Sequence, residues 1–233
     1  MDSVEKRASF RPALLVVDVQ EDFCPPVGII PNLLSVPDNL HQVEWKSCTT
    51  RDFHPQDHIS FATSHPAPNN KPFESTVKIL NPFDQSQNHT IRLWPPHCVQ
   101  GTPGVEIIPE IDVSKLDVIV DKGKDSRLEV YSGFADVFGR KSSEAATVDL
   151  TSLLQGHRIT HVYTVGLAGD FCVKCTAVDA KKEGFEVYVV EEAVKSIDSG
   201  PSGWEGAKAS MTELGIHIVS TKGEEVALLK QRE

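Results

Sequence analysis

The stretch TVGLAGDFCVKCTAVDAKKEGFEV, residues 164–187, predicts how this chain folds. It begins within the apolar run 160–166, passes through a glycine-rich turn, and continues at 172–184 with the pattern of a helix. A second apolar run follows at 185–190, after a glycine that suits the end of a helix. Strands that alternate with a helix in this way indicate an α/β protein.

Further apolar runs and helical patterns extend this alternation along the chain. The other short apolar runs, typical of strands buried on both faces of a parallel sheet, are 13–19, 116–121 and 216–220. Helical patterns occupy 147–158 and 200–215. The alternation predicts a mainly parallel sheet with helices on both faces, in a single domain of residues 1–233.

The segment 55–104 interrupts the alternation. It is rich in Pro, Asn, Ser and His and has little periodicity. A loop of this length in a compact domain is usually functional or disordered, and RLWPPHCVQGTPG at its end favours an ordered loop over a pocket. We therefore expect a loop-rich segment that covers the active site.

The bulk composition limits the class of protein and its compartment. A net charge of −10 and a pI near 5.4 argue against a nucleic-acid partner, because its phosphates would be repelled. No apolar run approaches the ~20 residues that a membrane span needs. The cysteine count of 5 is odd and no secretion signal is recognised, which favours free thiols in a reducing compartment. We expect a cytoplasmic protein with a small-molecule substrate; a nuclear or peroxisomal site and a homo-oligomer stay open.

Three candidate catalytic residues follow predicted strands. Asp18 ends the first apolar run, Lys122 follows the run at 116–121, and Cys172 opens the helical pattern. Because ligands bind beyond the carboxyl ends of parallel strands, these side chains can meet in one pocket. There the helix dipole and the ammonium would lower the pKa of the thiol, and Asp18 would take its proton. Each residue alone also fits an ordinary role as a buried thiol, a turn aspartate or a solvated lysine.

The stretch TTRDFHPQDHIS, residues 49–60, contains a candidate metal site. Asp52 and His54 are two positions apart, which in an extended segment puts both side chains on one face. A carboxylate and an imidazole so placed suit Zn²⁺, Mn²⁺ or Fe²⁺. His97 is the best third ligand, with His58 behind it, although this spacing by itself is common and mostly accidental.

Five motifs occur in order along the chain: LLVVDVQEDFCP, TTRDFHPQDHISFA, LWPPHCVQGTPG, VDKG and GLAGDFCVKCTAVDA. Their content and spacing resemble the nicotinamidase branch of the isochorismatase-like cysteine hydrolases, from Leu14 to Val219. The resemblance implies a three-layer α/β/α fold and the hydrolysis of nicotinamide to nicotinate and ammonia, through a thioester on cysteine. It also implies cleavage of pyrazinamide and a place in NAD salvage.

The resemblance assigns roles to the residues of these motifs. Asp18 matches the family's general base, Lys122 its lysine and Cys172 its nucleophile. Asp52, His54 and His97 match its ligands for one divalent metal. Zn²⁺ is the first choice, and Fe²⁺ or Mn²⁺ stays open. Whether His58 is a further ligand is left open.

The resemblance also implies the surroundings of the reacting amide. A cis peptide bond between Leu167 and Ala168 is expected to aim the backbone N–H groups of Ala168 and Cys172 at the developing oxyanion. The residues expected around the substrate or behind the metal ligands are Phe23 and Trp94 as walls for the pyridine ring, Glu129 near the pocket, and Ser60 behind the ligands.

Two alternatives to a nicotinamidase stay open. The first is another amidase of the same superfamily, such as one that uses the same Asp, Lys and Cys without a metal. The second is an inactive relative retained for binding, against which the intact Asp18, Lys122 and Cys172 argue. Metal content separates the first alternative from the main hypothesis, and turnover separates the second.

Overall fold

The computed structural model describes residues 10–24, 46–143 and 145–230. The expectation about a secretion signal concerns residues 1–9, which lie outside this part. The described residues form the strands β1 (Pro12–Val17), β2 (Lys46–Asp52), β3 (Thr76–Asn81), β4 (Asp84–Arg92), β5 (Val118–Lys122), β6 (His161–Leu167), β7 (Glu186–Lys195) and β8 (His217–Val219). Six of them form one sheet in the order β5-β2-β1-β6-β7-β8, and every neighbouring pair is parallel. This sheet confirms the predicted fold class.

The central strand β1 shows why its sequence is apolar throughout. All its residues are buried. Leu15 and Val17 pack into the core on one face of the sheet, whereas Leu14 and Val16 pack into the core on the other. Because successive side chains of a strand point to opposite faces, a strand covered on both sides favours apolar residues at consecutive positions.

Helices cover both faces of the sheet, as predicted. The α-helices of the described residues are α1 (Leu150–Gly156), α2 (Lys174–Lys182), α3 (Trp204–Glu213) and α4 (Glu224–Lys230). The first three contribute Leu154, Ala177 and Met211 to one core, and α4 contributes Val226 and Leu229 to the other. No helix in the described part of the chain has the length and apolar character that a membrane crossing needs.

The strand order places a crevice at one edge of the sheet. The chain first adds β2 and β5 on one side of β1, and then β6, β7 and β8 on the other. The direction of winding therefore reverses between β1 and β6. In open parallel sheets the ligand crevice lies beyond the carboxyl ends of the strands at such a reversal.

The structure of two regions differs from the sequence-based prediction. Strand β2 reads KSCTTRD, a largely polar sequence whose position between β1 and β5 makes it a strand. The segment 55–104 was expected to be irregular, but it contains the antiparallel hairpin of β3 and β4. Most of β4 is polar and exposed, so its sequence has no apolar alternation that would predict a strand. The hairpin is formed by backbone pairing between β3 and β4.

Candidate active site

The carboxyl ends of four neighbouring strands carry the main candidate residues. Asp18 directly follows β1, Asp52 ends β2, Lys122 ends β5, and Cys172 lies in the turn after β6. Because β5, β2, β1 and β6 are adjacent in this order, the four side chains come together at the reversal of the sheet. All four are buried.

Lys122 lies at the centre of this cluster and is fully buried. Its ammonium contacts the carboxylate of Asp18, with 2.9 Å between Nζ and Oδ2, and also that of Asp52. It donates a hydrogen bond to the Val130 carbonyl at 3.1 Å, and its Nζ lies 3.7 Å from the Sγ of Cys172. One ammonium therefore links the candidate base, the candidate nucleophile and a candidate metal ligand.

Asp18 is held by its backbone as well as by Lys122. Its φ is 51°, a left-handed conformation uncommon outside glycine, and its N–H donates to the Thr50 carbonyl at 3.1 Å. The Thr50 hydroxyl in turn donates to Asp18 Oδ1 at 2.7 Å. One carboxylate oxygen each of Asp18 and Asp52 and the Cys172 Sγ lie within 4.8 Å of one another. Asp18 is thus close enough to exchange a proton with the thiol after a small rotation.

The turn after β6 brings Cys172 to the cluster without the expected cis peptide bond. Among the described residues the cis bond is Ala67–Pro68, so the prediction for Leu167 and Ala168 was wrong. The chain changes direction through a left-handed conformation at Ala168, with φ 55° and ψ 60°, and then a single turn of π-helix, Gly169–Val173. Such turns are frequent at functional sites.

Gly166, the next-to-last residue of β6, is required by the close approach of β1. Its φ is +121°, and a Cβ there would lie 2.1 Å from the carbonyl oxygen of Val17. Any side chain would therefore push β6 away from β1 at the point where both strands enter the site.

The pKa of the Cys172 thiol is raised, whereas the sequence led us to expect a lowered one. Burial is the main cause, because it disfavours a thiolate, and the negative charges of Asp18 and Asp52 add to it. The ammonium of Lys122 acts in the opposite direction but is outweighed. The resting thiol is neutral, so its attack on a substrate requires a base.

Of the charged groups around the thiol, Asp18 is the one that can act as this base. Burial raises the pKa of Asp18, Asp52 adds to this effect, and Lys122 opposes it. Burial also disfavours the ammonium of Lys122, but Asp18 and Asp52 outweigh it and raise the lysine pKa. At Asp52 the effect of burial is exceeded by those of Lys122 and His54, and the pKa is lowered. Lys122 and Asp52 therefore stay charged, while Asp18 can carry a proton.

The candidate metal ligands Asp52, His54 and His97 meet beside this cluster. One donor atom of each lies within 4.8 Å of the others. The Nε2 atoms of His54 and His97 lie 3.6 and 3.8 Å from the Asp52 carboxylate oxygens. Two imidazole nitrogens and one carboxylate oxygen are a donor set that suits Zn²⁺ and similar divalent ions.

The hydrogen bonds of both imidazoles fit this role. His54 Nδ1 donates to the Gly123 carbonyl at 2.9 Å, and His97 Nδ1 donates to the Pro95 carbonyl at 2.8 Å. With Nδ1 donating, each Nε2 faces Asp52. Burial opposes the charged form of His54 but Asp52 outweighs it and raises the His54 pKa, so the Nε2 of His54 offers its lone pair to a metal ion once the ring is neutral. Burial and the nearby His54 lower the pKa of His97 to about 4, so its imidazole is neutral and able to bind a metal.

His58 does not join this donor set. Its Nδ1 accepts from the Ser60 hydroxyl and its Nε2 donates to the Leu128 carbonyl, both at 2.8 Å. Its ring lies against that of His54 at a tilt of 32°, with 4.1 Å between the centroids. Both ring nitrogens are thus engaged within the protein, and His58 and Ser60 support His54 from behind.

Gly123 completes the support of His54 from the other side. It has φ +70°, and a Cβ there would lie 2.4 Å from the His54 ring. The glycine of the VDKG motif is therefore needed for the close contact that its carbonyl makes with His54 Nδ1.

A small pocket opens onto Cys172 and the candidate metal ligands. Its lining includes three residues singled out from the sequence: Phe23, Trp94 and Glu129. It also includes three that were missed: Tyr131, Phe171 and Ile197. The position of Phe171 next to Cys172 was a usable signal for an aromatic wall, whereas nothing in the sequence marked Ile197. The cavity measures about 30 Å³, so its walls must move apart to admit an aromatic ring.

The chain is similar to known proteins over most of its length. The model of the family described as Isochorismatase domain matches residues 12–223. The nicotinamidase of Schizosaccharomyces pombe is 35% identical over 224 residues, which cover 92% of this chain and 95% of the relative.

Solved structures extend the likeness to three dimensions. The yeast nicotinamidase bound to the inhibitor nicotinaldehyde has a TM-score of 0.78 and 31% identity, over 90% of this chain and 99% of that chain. The pyrazinamidase of Pyrococcus horikoshii in complex with zinc has a TM-score of 0.65 and 33% identity, over 90% of this chain and 99% of that chain.

Proposed function

The chain belongs to the isochorismatase family, and we propose that it hydrolyses nicotinamide to nicotinate and ammonia. The observation that carries the proposal is the ammonium of Lys122, which contacts Asp18 and Asp52 and lies 3.7 Å from Cys172 Sγ. This arrangement joins a cysteine, its base and a metal ligand in one pocket. The names of the similar proteins, nicotinamidases and a pyrazinamidase, support an aromatic carboxamide as the substrate.

In the first half-reaction the Cys172 sulfur attacks the amide carbon while Asp18 takes the thiol proton. The C–N bond then breaks, and the amide nitrogen leaves as ammonia with the proton that Asp18 returns. A nicotinoyl thioester on Cys172 remains. Lys122 stays charged throughout and keeps the Asp18 carboxylate beside the sulfur.

In the second half-reaction a water molecule attacks the thioester carbon. Asp18 takes a proton from this water, the C–S bond breaks, and the proton passes to the Cys172 sulfur. The product leaves as nicotinic acid, which releases the second proton of the water to solvent and becomes nicotinate. The enzyme returns to its neutral thiol. The same two groups therefore serve both halves of the reaction.

The oxyanion that forms in both steps needs hydrogen-bond donors. We assign this role to the backbone N–H groups of Ala168 and Cys172, which belong to the turn at the carboxyl end of β6. A donor of this kind contributes ~2.7–4 kcal/mol to lowering the barrier.

Asp52, His54 and His97 would hold one divalent ion, and Zn²⁺ fits this donor set best. When bound, the ion supplies a Lewis acid for the ring nitrogen of the substrate. Phe23 and Trp94 form the walls against which the ring packs. The carboxamide of a ring held in this way faces Cys172.

The proposal extends to the organisation and setting of the protein. Residues 1–233 act as a single domain, and the segment 55–104 covers the site, to which it contributes Trp94 and His97. Pyrazinamide, which keeps a ring nitrogen in the same position, is a second substrate. The reaction serves NAD salvage, and its proposed place is the cytoplasm.

The test is ammonia release from nicotinamide by the zinc-loaded protein, with Cys172→Ala and Cys175→Ala side by side. Cys175 lies in α2 and does not line the pocket, so it is a matched control for the loss of a thiol. We expect release by the native protein and by Cys175→Ala, and none by Cys172→Ala. Acid-quenched mass spectrometry should show a nicotinoyl adduct on Cys172.

Other outcomes would contradict particular parts of the proposal. Turnover by Cys172→Ala would exclude this sulfur as the nucleophile. Turnover of benzamide, which lacks the ring nitrogen, at the rate of nicotinamide would exclude a role of that nitrogen in binding. A folded, zinc-loaded protein that releases no ammonia from nicotinamide would refute the activity itself.

A further inference from the structure

Arg92, the last residue of β4, contacts two walls of the pocket from outside. Its guanidinium lies over the Trp94 ring at 5.4 Å from the centroid, and over the Phe171 ring at 5.2 Å. The two rings meet edge to face with 4.9 Å between centroids. Arg92 does not line the pocket itself, so it can act on a substrate only through these rings.

The same guanidinium forms an ion pair with Asp198, at 2.6 Å between Nη1 and Oδ2. Asp198 lies in the loop between β7 and α3, 106 positions away in sequence. Its side chain is 39% exposed and that of Arg92 is 29% exposed, so the pair borders solvent. We call this contact the Arg92–Asp198 bridge.

The loop at the far side of the bridge is tied to the turn that carries the nucleophile. The Asp170 carboxylate accepts from the N–H groups of Ile197 and Asp198, at 3.0 and 2.9 Å. Asp170 belongs to the π-helical turn that contains Cys172, and Ile197 lines the pocket. The bridge thus connects the hairpin of β3 and β4, the turn after β6 and the loop after β7.

We propose that Arg92 is a positioning residue that holds the aromatic walls closed over the bound ring through its bridge to Asp198. The inference rests on the proposed function, since the ring to be held is that of the substrate. A cavity of about 30 Å³ requires the walls to part when a ring enters. A partly exposed ion pair between the segments that carry them can open and re-form at small cost.

The variants Arg92→Met, Asp198→Asn and their combination test the bridge. Methionine keeps an unbranched chain without the charge, and asparagine keeps the backbone N–H that Asp170 binds. Lys46→Met is the control, because Lys46 pairs with Asp117 at 2.8 Å and similar exposure, 33% on each side, at the opposite end of β2 from the site. Arg92→Lys tests whether charge alone suffices.

Loss of the bridge should raise KM for nicotinamide roughly 3- to 10-fold and leave kcat within about twofold. The dissociation constant of nicotinate, followed by tryptophan fluorescence, should rise by the same factor. The double variant should be no worse than Arg92→Met, because both changes remove one contact. Added salt should raise KM of the native protein and of Lys46→Met, but not that of Arg92→Met. Arg92→Lys should restore only part of the loss.

A native KM in an active Arg92→Met protein would refute the positioning role of the Arg92–Asp198 bridge and leave the proposed function intact. Additive effects of the two single variants on KM would refute it in the same way. If Arg92→Met does not fold, the same comparison is made with Asp198→Asn and Arg92→Lys. A native protein that neither hydrolyses nicotinamide nor binds nicotinate would instead overturn the proposed function, and with it this role of Arg92.

Discussion

The cluster around Lys122 and the wall of the pocket are adjacent, but they are held in different ways. Asp18, Asp52 and Lys122 lie at the ends of β1, β2 and β5, which backbone hydrogen bonds keep in register. Trp94 and Phe171 come from two segments outside the six-stranded sheet. Backbone hydrogen bonds hold these segments locally, such as the one from the Trp94 N–H to the Ser60 carbonyl, but side-chain contacts position the two rings.

This difference separates the chemistry of the site from its fit to a substrate. The sheet fixes the backbone at paired strand ends and leaves the side chains little beyond small rotations, which suits residues that must exchange protons over short distances. Rings held by a partly exposed ion pair can shift at small cost, which suits a wall that must open and close. Changes in the cluster should therefore abolish turnover, and changes in the wall should alter KM.

The largest expected effect is that of Lys122→Met. It leaves the buried Asp18 and Asp52 without their cation, which should lower the free energy of unfolding by about 3–5 kcal/mol and abolish turnover. The loss of stability should be smaller at about pH 5 than at about pH 8. Without the ammonium the pKa of Asp18 rises further, so as the pH falls the folded variant binds a proton at Asp18 before the unfolded chain does, and this binding stabilises the folded state. Urea unfolding at both values measures this, with Lys46→Met as the surface control. Native stability at the higher pH would mean that the cluster does not depend on its ammonium.

The next effect separates a metal ligand from the residue behind it. His54→Ala should weaken zinc binding by about 100-fold or more, whereas His58→Ala should weaken it by about 10-fold or less, because His58 acts only through His54. Competition with a chromogenic chelator measures both affinities. An equal loss in the two variants would make His58 a ligand in solution.

The smallest effect isolates the contact between Gly123 and His54. Gly123→Ala and Gly139→Ala introduce a Cβ at similar positive φ, +70° and +79°, but only the first meets a neighbour within 4 Å. Both should lose roughly 1–2 kcal/mol of stability from backbone strain. Only Gly123→Ala should also lower zinc affinity, because its Cβ displaces the His54 ring. Equal zinc affinities in the two variants would show that the ring can adjust.

Local patterns in the sequence were sufficient for most of the sheet and for the cluster. The apolar runs predicted β1, β5, β6, β7 and β8. Asp18 and Lys122 stand at the ends of two of these runs, and Cys172 lies in the turn that follows a third. The same patterns could not reveal β2, because pairing inside the sheet makes its polar sequence a strand.

Two predictions about the turn that carries the nucleophile failed, one made from local chemistry and one from the family resemblance. The pKa of Cys172 was expected to fall beside a helix and a lysine, but burial and two carboxylates raise it. The turn before Cys172 was expected to contain a cis bond, but a left-handed Ala168 and a turn of π-helix change the chain direction there. The first outcome depends on Asp18 and Asp52, which are distant from Cys172 in sequence.

The sequence by itself determined the class of the fold, the strand ends that carry polar residues and the identity of the groups able to react. These follow from apolar periodicity and side-chain chemistry, which are local properties. Only the tertiary structure decided which charges surround Cys172, that both nitrogens of His58 are engaged, and that Arg92 connects Trp94 and Phe171 to Asp198. Burial, desolvation and contacts between distant segments exist only once the chain has folded, so no local pattern records them.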